Sequence, residues 1–398
     1  MSNVNDNINR RTVLAVGAST IAGLTVGATT AVAATRVLSA REDGAVGSAT
    51  VPFFGAHQAG IQTPIQAVGT FVAFTLRDDI DSQSVARLLR LWTTDIALLM
   101  SGKAAMADSN AELSTTAARL TVTVGIGYRA FEIAGVANQW PIPVRDLPPY
   151  SIDQLEPQWS GGDLMLQVSA DDAMSVAHAV RELVKDAAPF ADVAWIQKGF
   201  APHAGVNPGV TPRNLMGQVD GTDNPQPETF DFDTTVWDTG ELHPWMKGGS
   251  TFVLRRIRMN LNTWEKLKPA DQEKVIGRNR LNGAPLTGQQ ERDMPDYFAK
   301  KDGEYVIPED AHIRRASLPR NIFRRVFNYE DNLLADGTHD VGLLFGTFQA
   351  EVGQYMEIQN NLAKLDSLNR WTTPVGSALF AIPPGCERGG WIGEGAFG

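Results

Sequence analysis

From residue 69 onward the apolar pattern alternates between the period of a strand and that of a helix. Its order is strand, helix, strand, strand, helix, strand, and that order most narrows what the chain can become. Residues 69–76 (GTFVAFTL) carry the β-branched and aromatic side chains suited to a strand. Residues 82–99 place Leu88, Leu89, Leu91, Trp92, Ile96 and Leu99 on the apolar face of a helix. Residues 120–127 alternate like a half-buried strand, and residues 163–169 form another. Asp171 or Asp172 can cap a helix running through Val184, and residues 193–197 complete the set. This is the split β-α-β order of a ferredoxin-like domain.

The second half reads similarly. Residues 250–259 form a strand with charged residues on one face, residues 262–276 are largely helical, and residues 324–329 and 341–348 are strands. A helix over 349–365 and a last strand over 377–382 follow. A chain of 398 residues is long for one domain, so the expectation is an α+β protein of two ferredoxin-like halves. The boundary is placed near residue 207, in the Gly/Pro-rich stretch 201–212, giving domains 49–207 and 208–398. Residues 277–311 interrupt the second half with Gly, Pro and charge. Long insertions usually carry function, so residues 277–320 draw attention first.

A net charge of −10 disfavours nucleic acid as a partner, because a phosphate-binding face needs a basic field. The one cysteine, Cys386, excludes an internal disulfide and multi-cysteine zinc sites, and no Cys-x-x-Cys-His is present for covalent haem attachment. At the N-terminus, Asn9-Arg10-Arg11-Thr12-Val13-Leu14 is a twin-arginine pattern. A mildly apolar run over 15–33 ends in Ala31-Val32-Ala33, a small-residue cleavage site. Residues 1–33 therefore read as a signal and 34–48 as a flexible lead. Export to a periplasmic or extracellular location is expected, with no stable membrane insertion after cleavage. An uncleaved anchor is the alternative, although Gly and Thr dilute a run that barely reaches spanning length. The route carries folded proteins, which suits an enzyme that acquires a cofactor first.

The sequence holds six histidines: His57, His178, His203, His243, His312 and His339. A lone histidine is more often a surface or satisfied core residue than a ligand, and His178 sits within a helical pattern. No His-Glu-x-x-His, phosphate-loop or Gly-x-Ser-x-Gly motif occurs. The segment 213–225 (RNLMGQVDGTDNP) places Asp220 between Gly217 and Gly221, where backbone can approach a ligand closely. An Asx-type turn accounts for the same residues, and spacing alone leaves both readings open.

Gly217-Gln-Val-Asp-Gly221 also resembles the Gly-x-x-Asp-Gly signature of dye-decolorizing peroxidases. Further blocks resemble that family in order: residues 54–64, 162–172, 195–200, 248–253, 276–278, 311–314, 324–325 and 376–384. They span nearly all of the chain after residue 50. The resemblance implies facing antiparallel sheets of the dimeric α+β barrel type. It also implies one b-type haem (heme b) per chain, bound non-covalently in the C-terminal half. Residue by residue, it implies His312 as the iron ligand, Asp220 as the distal acid and Arg324 as the distal arginine, with Arg325 the alternative if the register slips by one. Arg278 matches a partner of a haem propionate, and Gly221, Thr222 and Asp223 match contacts at the haem edge. Ser317 and Arg320 match a further contact segment, although this chain reads Ala-Ser-Leu-Pro-Arg where family members often read Ala-Asn-Pro-Arg.

The chemistry expected at these positions is coherent. Haem iron needs an imidazole nitrogen kept basic by a hydrogen bond at the other nitrogen; no sequence signal identifies that partner. A carboxylate near the iron can move the peroxide proton, and an arginine can stabilise charge that develops as the O–O bond breaks. The resemblance implies a ferryl intermediate reduced by dyes or phenolic and aromatic substrates. The expected partners are thus hydrogen peroxide and an organic reductant. Oligomeric state stays open, homo-oligomers included. A carboxylate base with an ordinary pKa of about 4 works in acid, so an acidic optimum is expected. Trp195, Trp371, Trp391 and Tyr329 are candidates for carrying electrons to the surface, with a core role the better reading of each. Two alternatives stand beside the peroxidase: a haem-handling protein that releases iron in iron uptake, and a non-catalytic haem carrier. Carriage alone needs neither Asp220 nor Arg324.

Overall fold

The computed structural model describes residues 46–203 and 205–398, so the segment read as an export signal lies outside the described residues. Eight strands close into one antiparallel barrel. The first four are β1 (Val68–Leu76), β2 (Thr121–Ile126), β3 (Leu164–Ala170) and β4 (Ala191–Phe200). They follow one another around the ring as β4-β1-β3-β2. After β5 (Ser250–Met259) comes a two-residue hairpin, β6 (Lys300–Lys301) and β7 (Glu304–Tyr305), then β8 (Phe323–Leu333), β9 (His339–Gln349) and β10 (Thr372–Ile382). The large strands of this half are ordered β10-β5-β9-β8, the same arrangement as in the first. The two four-stranded sets meet at Ala381↔Ile126 and Phe200↔Asn328, one register pair at each seam.

Two helices cover the first set, α1 (Ser82–Met100) and α2 (Ala173–Ala187). Both start at an Asp N-cap, Asp81 and Asp172, whose carboxylate accepts a hydrogen bond from the N–H three residues on. In the second half, α3 (Phe230–Val236) and α4 (Pro269–Ile276) precede the short α5 (His312–Ala316), and α6 (Val352–Leu365) follows β9. The helix expected over 262–276 is broken: a single turn at Leu261–Trp264 is separated from α4 by Pro269. Proline at the first helical position holds Lys268 extended, so the two segments cannot fuse.

Strand alternation sorts the core into layers. Phe71 and Ala73 of β1, Phe252 and Leu254 of β5, Phe327 and Tyr329 of β8, and Leu344 and Phe348 of β9 fill the barrel. Val72, Phe74 and Leu76 face outward beneath the helices with Leu88, Trp92 and Leu183. The filling is tight: a Cβ at Gly69 or Gly199 would lie 2.6 Å from Phe327. The expectation that the charges of β5 share one face is corrected. Arg255 and Arg256 are adjacent and point oppositely, and both are buried. Arg255 pairs with Asp153, while Arg256 donates to Asp331 at 2.6 Å and Asp340 at 2.9 Å, stacked 3.6 Å from the Tyr329 ring. Arg258 joins Asp340 and Glu156 at 2.9 and 3.0 Å.

A third apolar cluster lies outside the barrel in the second half. Met216, Met259, Trp264, Ile276 and Leu343 are buried there, with Ile257, Val326, Ile313, Phe345 and Leu368 partly buried around them. The candidate site borders this cluster.

Candidate active site

The site is assembled from three segments: the loop over 211–224, strand β8, and α5. The loop is shaped by local hydrogen bonds. The Asn214 carboxamide oxygen accepts from the backbone N–H groups of Met216 and Gln218, at 3.0 and 3.3 Å. The Asn214 Nδ2 donates to Asp220 Oδ2 at 3.3 Å, and the Asp220 N–H donates to Pro212 O at 2.9 Å. Gly221 then adopts φ +127°, a conformation that L side chains rarely reach, so glycine is required immediately after the acid.

Strand β8 decides between the two candidate arginines. Arg324 shares a face with Val326, toward the outer apolar cluster. Its Nη1 donates to Asp220 Oδ1 at 3.2 Å. Arg325 falls on the Phe327 and Tyr329 face inside the barrel, bonded to Thr63 O and Gln66 Oε1. Burial pushes the Arg325 pKa down to about 9, with Arg119 adding repulsion. The structure therefore brings Arg324, and not Arg325, to Asp220.

His312 opens α5. Its Nδ1 donates to Asp366 Oδ2 at 2.7 Å, which leaves Nε2 as the nitrogen for a metal. Asp366 ends α6 and is buried, with its side chain 3% exposed, and its Oδ1 accepts from the Leu368 N–H at 2.9 Å. Ser367 N–H donates to Asp310 O at 2.9 Å, so the two segments are tied a second time, one residue after Asp366 and two before His312. Burial pulls the His312 pKa down, but the Asp366 charge and hydrogen bond override it and raise it on balance. The charges of Asp220 and Arg324 also act on His312, the first raising and the second lowering its pKa, so the three groups share one locale. Their side chains are 32% (His312), 19% (Asp220) and 23% (Arg324) exposed, beside apolar walls.

The residues assigned to the haem edge divide. Thr222 Oγ1 donates to Glu291 Oε1 at 2.9 Å, as does Thr211 Oγ1 at 2.6 Å. Arg278 donates to the carbonyls of Gly283 and Glu291 at 2.7 and 2.8 Å. Burial lowers its pKa, against the raising charges of Asp223, Tyr297 and Glu291. Arg278 has no salt bridge among the described residues, which suits it to an anionic carboxylate. Ser317 and Arg320 are both exposed, with Arg320 held by Glu351 at 2.6 Å and Glu357 at 3.8 Å, while the next residue, Asn321, donates to Asp223 O at 3.1 Å. Neither side chain bonds with Asp220 or Arg324. His178, read as a satisfied core histidine, is buried and bonded through Nε2 to Asp108 at 2.9 Å and Ser114 at 3.0 Å.

One imidazole with its second nitrogen engaged by a carboxylate, an apolar wall, and a guanidinium lacking a carboxylate partner form a donor set that fits a metalloporphyrin. Asp366 is the partner that sequence reasoning could not name. It lies 54 residues from His312, and an Asp before a Ser-Leu pair reads only as a local cap.

Comparison with known proteins places the chain among relatives of one family. A family model described as Dyp-type peroxidase, N-terminal, matches residues 58–201, and one described as Dyp-type peroxidase, C-terminal, matches residues 211–387. A curated relative named Dye-decolorizing peroxidase, from Thermobifida fusca (strain YX), is 40% identical over 358 residues, covering 85% of this chain and 83% of the relative. A relative named Deferrochelatase, from Escherichia coli (strain K12), is 33% identical over 360 residues, covering 84% of each. The solved structure of a DyP-type peroxidase from Cellulomonas bogoriensis aligns with a TM-score of 0.86 at 43% identity, covering 89% of this chain and 99% of that one. Ferric DtpA from Streptomyces lividans aligns at 0.85 with 39% identity, covering 88% and 98%.

Proposed function

The chain belongs to the Dyp-type peroxidase family, and from that premise we propose that Asp220 and Arg324 form its peroxide-side pair, with His312 as the iron ligand. The protein is a haem peroxidase whose cofactor is non-covalent haem b. When bound, the haem supplies the redox chemistry that splits peroxide and draws electrons from a reductant. Arg278 is the side chain suited to a propionate, and Met216, Ile257, Leu343 and Phe345 supply apolar surface.

The observation that carries the assignment is the 3.2 Å contact between Asp220 Oδ1 and Arg324 Nη1, whose charges reach an imidazole already engaged by Asp366. Asp220 is the group that holds or moves the peroxide proton, accepting it at a carboxylate oxygen and returning it to the departing oxygen. Arg324 orients that carboxylate and stabilises negative charge as it develops. Asp366 holds the imidazole in the Nδ1–H tautomer and keeps Nε2 basic. Dyes and phenolic or aromatic compounds are the reductants this reading assigns.

The test compares wild type with Asp220→Asn, Arg324→Leu and His312→Ala. The first two are expected to keep the haem Soret band and to slow its change on adding one equivalent of peroxide by roughly 100-fold or more. The third is expected to lose haem binding. Haem retention and undiminished turnover in all three would sink the assignment.

Iron release from haem is a second reading, favoured by the relative named Deferrochelatase. The acid–arginine pair has a direct use in peroxide chemistry, and this favours the peroxidase. Formation of iron-free porphyrin without added peroxide would reverse the preference. Export by the twin-arginine route is likewise proposed, on Arg10-Arg11 and the Ala31-Val32-Ala33 site. Replacing both arginines with lysine is expected to retain the protein inside the cell on fractionation.

A further inference from the structure

Asp220 and Arg324 come from different elements, 104 positions apart, and their contact depends on how the 211–224 loop is held against β8. Strand β8 has β9 on one side and β4 on the other, but β4 meets it only at Phe200↔Asn328. At Arg324, four residues earlier, a side chain takes the place of a strand. Asn224 Nδ2 donates to Arg324 O at 2.7 Å, and the Arg324 N–H donates to Asn224 Oδ1 at 2.8 Å. One carboxamide thus satisfies both backbone groups of the residue whose guanidinium meets Asp220. Asn224 is also turned within the loop that carries Asp220, its N–H donating to Gly221 O at 3.0 Å. A second amide repeats the tie, with the Leu215 N–H donating to Asn328 Oδ1 at 3.1 Å.

We propose that Asn224 is a positioning residue that sets the Asp220–Arg324 separation by closing the open edge of β8. It touches neither peroxide nor cofactor; it acts through Arg324. The proposal rests on the assignment of Asp220 and Arg324 as the peroxide-side pair. Asparagine suits the task because it offers one donor and one acceptor in a plane, as a neighbouring strand would. A carboxyl of the same shape reproduces that pattern only while protonated.

The experiment uses haem-loaded protein and four variants, Asn224→Ala, Asn224→Asp, Asp220→Asn and Arg324→Leu. The readouts are haem stoichiometry, thermal unfolding, cyanide affinity of the ferric protein, and the rate of Soret change with peroxide from pH 4 to pH 8. Asn224→Ala is expected to bind one haem and to react roughly 10–100-fold more slowly per haem, with weakened cyanide binding. Asn224→Asp is expected to approach the wild-type rate at the acid end and to fall away as pH rises and the introduced carboxyl ionises. A purely structural role predicts a lower unfolding temperature with an unchanged rate per bound haem, and that result overturns the proposal. So does a flat ratio of Asn224→Asp to wild type across the pH range. If Asp220→Asn and Arg324→Leu also react at the wild-type rate, the underlying assignment fails instead, and the two failures are distinguishable.

Discussion

At the residue scale the site is a set of oriented hydrogen bonds, and each makes a separate prediction. Asp366 fixes which His312 nitrogen faces a metal, so Asp366→Asn is expected to lower peroxide reactivity by roughly 10–100-fold. It should also raise the ferric–ferrous midpoint potential, because a less basic imidazole stabilises the ferric state less. Spectroelectrochemistry checks the second effect independently of turnover. Gly221→Ala places a Cβ at φ +127°, at an expected cost of about 1–3 kcal/mol of local strain. The chain is expected to relieve that strain by moving Asp220, so the peroxide rate should fall more than the unfolding temperature does. Some of this was legible beforehand: Gly217-x-x-Asp220-Gly221 announced a turn with an acid at its tip. Asp366 and Asn224 were not legible, because each is defined by a partner 54 or 100 positions away. An Asp or Asn in a loop carries no sign of which distant backbone it meets.

At the element scale the strands and long helices follow their sequence periods. β5 matches residue for residue, and α1 departs from its expected span by one residue at its end. The misses have local causes, as with Pro269, which parts two helices whose apolar pattern looks continuous. The packing of α1 on α2 makes a pH prediction. Asp186 on α2 faces Asp95 on α1, and the two buried Oδ2 atoms have no donor other than a proton shared between the two carboxyls. Burial, then the Asp95 charge, pushes the Asp186 pKa up to about 7, with Glu182 adding to the rise and Lys185 opposing it. An acid with a raised folded-state pKa keeps its proton in the native protein while the unfolded chain has lost it. The native state therefore binds more protons between about pH 4 and pH 7, and stability declines as pH rises through that window. Asp186→Asn is expected to raise the unfolding temperature by roughly 2–4 °C at pH 8 and to change it little at pH 4. Thermal unfolding at the two values checks the sign.

At the scale of the whole molecule, the halves share one ring and one interior. The chain's two repeats of the strand–helix order were readable from the sequence. Their joining at single register pairs was not, since closure depends on strand ends and not on periodicity. The barrel interior ends in the Arg256–Asp340–Asp331 group, with Arg258 reaching Glu156 of the first half. Arg256→Met removes the cation that Asp331 and Asp340 share, but Asp340 keeps Arg258 and Asp331 can hydrate, so a loss of about 1–3 kcal/mol is expected. Replacing Asp331 as well should recover part of it, which denaturant unfolding of the double variant can measure, while Asp340 stays to hold Arg258 and the Tyr329 hydroxyl. The seams carry their own implication. If the peptide chain were severed between Phe200 and Thr211, each fragment would present two raw β margins, at β2 and β4 on one and at β8 and β10 on the other. Such margins recruit strands. Co-expressed fragments are thus poised to reassemble into the ring, whereas either alone would search for a stranger to complete it.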